Sequence, residues 1–429
     1  MRHSLKKIVE NVPYPIGSIL AKVPFEWRFG SAYTQSLNEI KLGAIDGEYV
    51  VNNFRKIFEY AKVHLPFYQD LYSKANILNL KINSLSDIHQ VPIVTKNMIR
   101  SQLNSFNGSK LLNTGGSSGE PFAFYVDENA FAREWAHMHN VWTSIGYDYQ
   151  DVKLTLRGKN LGLKPYHYNP VHNEFIINTY LPLANFVDDI IGLIDRHQIR
   201  FLHGYPSAIY IFLKELEQCG NSVQIASFRK TVDICLLGSE YPVPYMTQYL
   251  TNFWGLKYIS WYGHSEMCIY AYDEFCNNHY KPFHSYGYAE VVDERLIGTS
   301  YHNQDMPLIR YDTGDIVNGE HHENGLLATF SIMGGRSGDY IIDKNNKSIP
   351  LTALIFGRHH DAFTHLKSVQ VRQCSIGSAE ILVTSDKIYN NNEILEMFDL
   401  TNTDIDFRAK LLNQPILTEM GKMPLLVDI

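Results

Sequence analysis

The sequence predicts an α/β protein with mixed or largely parallel sheets in a large N-terminal part and a small α+β C-terminal part. Three observations carry this. The chain has 429 residues, more than one ordinary core serves, so two or three domains are expected. Between about 150 and 320, strand-like stretches ending in glycine turns alternate with helical ones. After about Gly335 the texture changes to short strand-like stretches and one helix.

The elements follow in order. The start, "MRHSLKKIVENVPYPIGSILAKVPF", is basic and mildly apolar. Glu10, Pro13, Pro15 and Lys22 interrupt any signal-peptide core, and at most a weak membrane-surface contact is expected. Val50, Phe54, Ile57, Phe58 and Ala61 have helical spacing that stops before Pro66. "DIHQVPIVTKNMIRSQL" holds a short extended piece, then a helix that Thr95 caps. "LLNTGGSSGEPF" runs into the strand-like "PFAFYVD". Asp127 is expected to N-cap a helix carrying Phe131, Trp135, Met138, Trp142 and Ile145, which Gly146 ends. "DVKLTLRG", "RFLHGY" and "TVDICLLG" read as strands, with helices such as "SAIYIFLKELEQCG" between them, the pattern of a largely parallel sheet. In the C-terminal part, "GDYIIDKNNKSIP" resembles a hairpin, "SVQVRQCSIGSAEILVTS" two strands and "NNEILEMFDL" a helix.

Composition narrows the function classes. Hydrophobic content of 45% and charged content of 19% fit a soluble globular protein. A net charge of -7 argues against nucleic acid as the main partner. Five cysteines without regular spacing fit a reducing cytosol, so a cytoplasmic location is expected. No run approaches the ~20 apolar residues of a membrane span.

Gly115-Gly116-Ser117-Ser118-Gly119 admits three readings. As G-x-S-x-G it matches a hydrolase elbow with Ser117 as nucleophile, but a strand-like stretch follows where a helix is needed. As a glycine- and serine-rich loop it exposes backbone N–H groups and hydroxyls to a phosphate, without the Lys-Ser/Thr ending of a Walker loop. By itself it is as readily an ordinary turn. Four further islands follow it in order: "YGHSEM" (262–267), "PLIRYDTGDIV" (307–317), "GGRSGDYI" (334–341) and "TEMGKMPLLV" (418–427).

Together these islands resemble the core motifs of the adenylate-forming ligase superfamily. They are closest to its phenylacetate–CoA ligase branch, with the CapK-like relatives associated with capsule and exopolysaccharide clusters. "KVHLPFYQDLY" and "VPIVTK" resemble that branch too. The resemblance implies an N-terminal adenylation domain over 1–334 and a mobile C-terminal lid over 335–429. It implies that Thr114, Gly115, Gly116, Ser117, Ser118 and Gly119 hold the ATP phosphates, and that Gly238, Ser239 and Glu240 line the nucleotide. Tyr262, followed by Gly263, packs on adenine; Glu266 helps to hold Mg²⁺; Asp315 accepts the ribose hydroxyls. Arg336 contacts the nucleotide, Asp339 is the hinge, and Lys422 reaches the carboxylate and α-phosphate. Phe122 departs from the superfamily, which often has a lysine there.

Simpler readings stand beside these roles. Tyr262 fits core packing, Glu266 a solvated acid, Gly238 to Glu240 a strand-end turn, and Lys422 a frayed terminus. Arg310 reads as a structural or ion-pairing residue.

The activity implied has two steps. A small-molecule carboxylic acid and ATP give an acyl-adenylate, and an acceptor then displaces AMP. CoA is the acceptor that the nearest branch implies. An amine or sugar acceptor, giving an amide or ester in capsule biosynthesis, is the alternative, and a catalytically silent nucleotide-binding relative is another. Cys268, Cys276, His279 and His284 lie close together, but C-x₇-C-x₂-H-x₄-H is no standard zinc pattern, so Mg²⁺ with ATP is expected rather than zinc.

Overall fold

The computed structural model describes residues 9–42, 46–114, 122–157, 159, 161–239, 242, 244–274, 277–332, 340–351, 354–355, 358, 360–366, 368–385, 387–413, 416 and 425–427. Among these, no helix is long and apolar enough to cross a membrane.

The N-terminal region is helical: α1 (Tyr14–Ala21), α2 (Phe25–Phe29), α3 (Ser31–Leu42), α4 (Gly47–His64), α5 (Pro66–Lys74), α6 (Leu85–Ile88) and α7 (Lys96–Arg100). Asp46 caps α4 by accepting from the Tyr49 N–H at 2.9 Å. The helix buries the expected Val50, Phe54, Ile57, Phe58 and Ala61, and Val51 besides. It stops before Pro66, where α5 starts. Thr95 caps α7 through the Met98 N–H, as expected.

Strands β1 (Lys110–Thr114) and β2 (Phe122–Val126) form an antiparallel hairpin in which Thr114 faces Phe122. Helix α8 (Ala130–Ser144) follows. The Asp127 expectation is corrected here. The helix begins three residues later, and Asp127 instead accepts from the Asn129 N–H at 2.9 Å and pairs with Arg133.

The central sheet contains β3 (Lys153–Leu156), β4 (Tyr166–Asn169), β5 (Glu174–Ile177), β6 (Phe201–Gly204), β7 (Ile234–Leu237), β8 (Lys257–Gly263), β9 (Tyr270–Asp273) and β10 (Lys281–Pro282). Its order is β10-β9-β8-β7-β6-β3-β5-β4. The five strands from β8 to β5 in that order are parallel, and antiparallel strands flank them. Strands buried on both faces read as continuous apolar runs, which is why "ICLL" and "RFLHG" were legible.

Helices cover both faces. Met138, Val141 and Trp142 of α8 pack on Phe201, Ile234, Leu236 and Trp261. The opposite face, with Leu154, Leu202, Cys235 and Leu237, lies under α9 (Val187–His197), α10 (Pro206–Cys219) and α11 (Ser222–Thr231). The short helix α12 (Pro244–Gln248) precedes β8.

The alternation expected up to about 320 ends at β8. The strands β11 (Gly287–Val292), β12 (Arg295–Ser300), β13 (Tyr311–His321) and β14 (Leu327–Ile332) form an antiparallel meander. Its core is shared with α4 and α5: Phe54, Phe58, Tyr68 and Tyr72 pack with Tyr288, Leu296, Tyr311 and Phe330.

The C-terminal region is smaller and β-rich. The hairpin β15 (Tyr340–Ile342) and β16 (Ser348–Pro350) is present, then α13 (Ala362–His365), β17 (Ser368–Ser375), β18 (Ser378–Thr384), α14 (Asn391–Glu396) and β19 (Asp406–Leu411). β17 and β18 pair antiparallel, and β19 adds parallel to β18 after α14. This region has its own core, which also takes in Tyr180 from beyond β5. The expected boundary at 334/335 lies outside the described residues.

Candidate active site

Ligands of open α/β sheets bind beyond the carboxyl ends of parallel strands. Here Gly238 directly follows β7, and β8 ends at Tyr262 and Gly263. Gly238 is required by packing: a Cβ there would lie 2.1 Å from the Trp261 indole. Ser239 follows with a left-handed backbone, φ 69°, and is exposed; Arg157, at the end of β3, donates to its Oγ at 3.4 Å.

The turn after β8 closes through the Met267 N–H on the His264 carbonyl, 3.0 Å, with Met267 at φ 55°. This tucks Glu266 inward, 7% exposed. Its carboxylate accepts from the Tyr311 hydroxyl at 3.2 Å, and lies 3.3 Å from His264 Nδ1 and 3.7 Å from the Lys96 ammonium. Burial pushes the Glu266 pKa up, but His264 and Lys96 prevail and hold it down at about 2. Burial alone would lower the His264 pKa. Its contacts with Cys268, Sγ at 3.3 Å, and with Glu266 raise it well above the ordinary value.

Two motif residues far apart in sequence meet directly. The Tyr262 hydroxyl donates to Asp315 Oδ2 at 2.6 Å. The Tyr262 ring meets Phe330 edge-on, with centroids 5.2 Å apart, so ring packing and a polar contact coexist.

Lys96 reaches this centre because the "VPIV" segment bridges in parallel to the start of β13: Val94 pairs with Tyr311, and the Val94 N–H donates to the Arg310 carbonyl at 2.9 Å. Phe122, at the exit of the glycine-serine loop, is fully buried and stacks on Tyr311 at 6.3 Å and 10°. The Lys96 ammonium lies 5.6 Å from the Phe122 ring centroid. Arg310 is an ion-pairing residue: its guanidinium holds Glu290 at 2.7 and 3.1 Å and donates to the His89 and Val91 carbonyls.

The structure thus gathers Gly238, Ser239, Tyr262, Gly263, Glu266 and Asp315, and brings Thr114 to the mouth of the hairpin through its backbone pairing. Gly115, Gly116, Ser117, Ser118, Gly119, Glu240, Arg336, Asp339 and Lys422 lie outside the described residues. Sequence reasoning gave no role to Lys96, His264, Arg157 or Tyr311. Each had a signal: Lys96 ends "VPIVTK", His264 and Tyr311 sit inside quoted islands, and Arg157 ends a strand at a glycine turn.

Around the cysteines, Cys268 is buried against His264, His279 faces the Asn277 carbonyl, and His284 the Leu327 carbonyl. Among the described residues, no group of three or more His, Cys, Asp or Glu side chains is placed to hold a metal ion. Cys276 lies outside them. A small pocket opens elsewhere, between β5, α10 and the β15–β16 hairpin, and none of the site residues above lines it.

The fold is shared with solved CoA ligases. A solved 2-hydroxyisobutyryl-CoA ligase, in complex with 2-HIB-AMP and CoA in the thioesterification state, aligns over 89% of both chains, with a TM-score of 0.53 and 15% identity. The same ligase in the postadenylation state gives a TM-score of 0.51 and 14% identity over 89% of both chains. Protein CapK of Staphylococcus aureus is 24% identical over 320 residues, spanning 70% of this chain and 69% of CapK. No family model matches the chain. The expected likeness therefore holds in the fold, shared with solved CoA ligases, and in the sequence, shared with CapK.

Proposed function

We propose that this protein is an AMP-forming ligase that activates a small carboxylic acid with ATP and passes the acyl group to CoA. What supports this most is the meeting of Tyr262, Asp315, Glu266 and Lys96 beside the carboxyl ends of the parallel strands. The acid's oxygen attacks the α-phosphorus, the bond to the bridging oxygen breaks, and pyrophosphate leaves. The acceptor's nucleophile then adds to the acyl carbonyl and AMP departs. Such steps depend on positioning and electrostatics, so no serine or cysteine nucleophile is required.

Asp315 would accept the ribose hydroxyls while Tyr262 fixes its orientation. Glu266 stays ionised and offers oxygen ligands, which suits Mg²⁺. When bound, that ion supplies neutralisation of phosphate charge. Lys96 would add a cation beside Phe122, at a position where the superfamily often has a lysine. The loop 114–119 would cradle phosphate, with Arg336 near the nucleotide. Residues 335–429 would act as a lid hinged at Asp339, which brings Lys422 to the reacting carboxylate. An amine or sugar acceptor in capsule synthesis is the alternative fate of the acyl group.

ATP–pyrophosphate exchange over a panel of acids tests this reading. Acid-dependent exchange that Lys422→Ala abolishes is expected. Full exchange in Lys422→Ala, with loss in Ser117→Ala, would sink it. Each acceptor class is then supplied to the charged enzyme and AMP release is followed.

A further inference from the structure

We propose that helices α1 and α2 form a docking surface for an anionic membrane. Helix α1 packs one face on β4, the edge strand of the central sheet. Its Tyr14 ring meets Tyr168 at 4.8 Å and Phe175 at 5.5 Å. Ala21 is buried, and a Cβ on Gly17 would come within 2.8 Å of the Tyr168 ring, so this face is fitted closely to the sheet. A helix in that place ordinarily turns polar residues to water. Helix α1 does the reverse. Ile16 and Ile19 are 62% and 68% exposed, and Leu20 is exposed too. Their spacing of three and four residues sets them on one face, turned away from Gly17 and Ala21.

A short link leads to α2, where Arg28 donates to the Ala21 carbonyl at 3.2 Å and so ties the two helices together. On α2, Trp27 is 82% exposed, whereas the other four tryptophans of the chain are buried or half-buried. Exposed apolar side chains gathered at one place mark an interaction surface.

Charge selects the partner. Residues 1–30 hold Arg2, Lys6, Lys7, Lys22 and Arg28 against Glu10 and Glu26, a net +3 in a chain of net -7. Arg2, Lys6 and Lys7 lie outside the described residues, and Lys22 is exposed at the end of α1. Aliphatic side chains and tryptophan favour the boundary between headgroups and acyl chains, while lysine and arginine stay with the phosphates. The surface rests on a membrane and does not span it, since α1 has 8 residues against the ~20 of a span. A second copy of the chain fits less well. A two-fold contact through this face sets each basic stretch near its own copy, and like charges repel.

Sedimentation of the full chain with vesicles tests this. An equimolar mixture of phosphatidylcholine and phosphatidylglycerol should bind the protein at low salt roughly 10-fold more tightly than phosphatidylcholine alone, and high salt should release it. Ile16→Gln combined with Ile19→Gln and Trp27→Gln, and separately Lys6→Glu with Lys7→Glu, should each weaken that binding roughly 10-fold. Ile388→Gln, at an isoleucine 93% exposed in the C-terminal region, should leave it unchanged. The comparison of the two vesicle types on the unmodified protein requires no variant to fold. Brominated phosphatidylcholine in the mixed vesicles should quench tryptophan emission in the unmodified protein and not in Trp27→Phe. Binding no stronger to the anionic vesicles, an equal loss in Ile388→Gln, or quenching that persists in Trp27→Phe overturns the inference. So does a dimer in solution that the changes at Ile16, Ile19 and Trp27 dissociate, which assigns the face to a second copy. None of these residues belongs to the candidate site, so pyrophosphate exchange tests the ligase reading separately.

Discussion

His137 shows how burial sets a pH response at one residue. Its ring sits between the Arg133 carbonyl at 2.8 Å and Ser285 Oγ at 2.9 Å, and burial pushes its pKa down to about 4. The unfolded chain protonates the same ring near pH 6.5. Between those values the unfolded state binds more protons, so stability is present above pH 6.5 and is lost as pH falls toward 4, by roughly 3 kcal/mol from this group. Melting temperature measured from pH 7 to pH 4 should fall through that window. A flat profile would refute the assignment. Residues at this scale were unevenly legible. Tyr262, Glu266 and Asp315 sit in islands where glycines and carboxylates cluster, and such clusters announce themselves. Lys96 is brought to the site by a backbone bridge at Val94, so its one local sign, the end of "VPIVTK", named no partner.

The β1–β2 hairpin makes the case for elements. The apolar alternation of "FAFYV" gave the strand, and the strand's presence after the glycine-serine loop weighs against a hydrolase elbow. What the sequence could not show is the direction of Phe122. Its ring is stacked under Tyr311, so position 122 points into the core and not toward a ligand. A lysine there would bury a charge beside Lys96. Phe122→Lys is therefore expected to destabilise the protein by about 3 kcal/mol or more and to lower pyrophosphate exchange. Denaturant melts and exchange rates check this, and a gain in exchange would show that the missing lysine matters. Short caps and meanders were harder to read. Asp127 looked like a cap, but its pairing with Arg133 diverts it. In the β11–β14 meander, β11 and β12 are largely buried, so they lack the clean alternation that separates an antiparallel sheet from a parallel one.

For the whole molecule, the change of texture near residue 335 was legible from composition, but the attachment of the C-terminal region was not. That attachment uses residues distant in sequence. Tyr180 enters the C-terminal core with the Arg358 guanidinium 4.0 Å from its ring centroid. Lys347 pairs with Glu215 at 3.2 Å and donates to the Thr179 carbonyl at 2.8 Å. Tyr180→Ala should remove about 3 kcal/mol from the coupled unit. Differential calorimetry should then show the C-terminal region melting ahead of the rest. A single unshifted transition would show that Tyr180 does not couple them.

Tyr180 also bears on any attempt to build hybrids. A graft that exchanges the C-terminal region at the glycine-rich "GGRSGD" would leave behind the aromatic that completes the transplanted core. The receiving chain would present its own residue at that position, and the donor's Arg358 would face a stranger. The unit that can be exchanged is therefore not the one that the linker outlines. It includes a few residues after β5, and recombination between relatives succeeds only when they travel together.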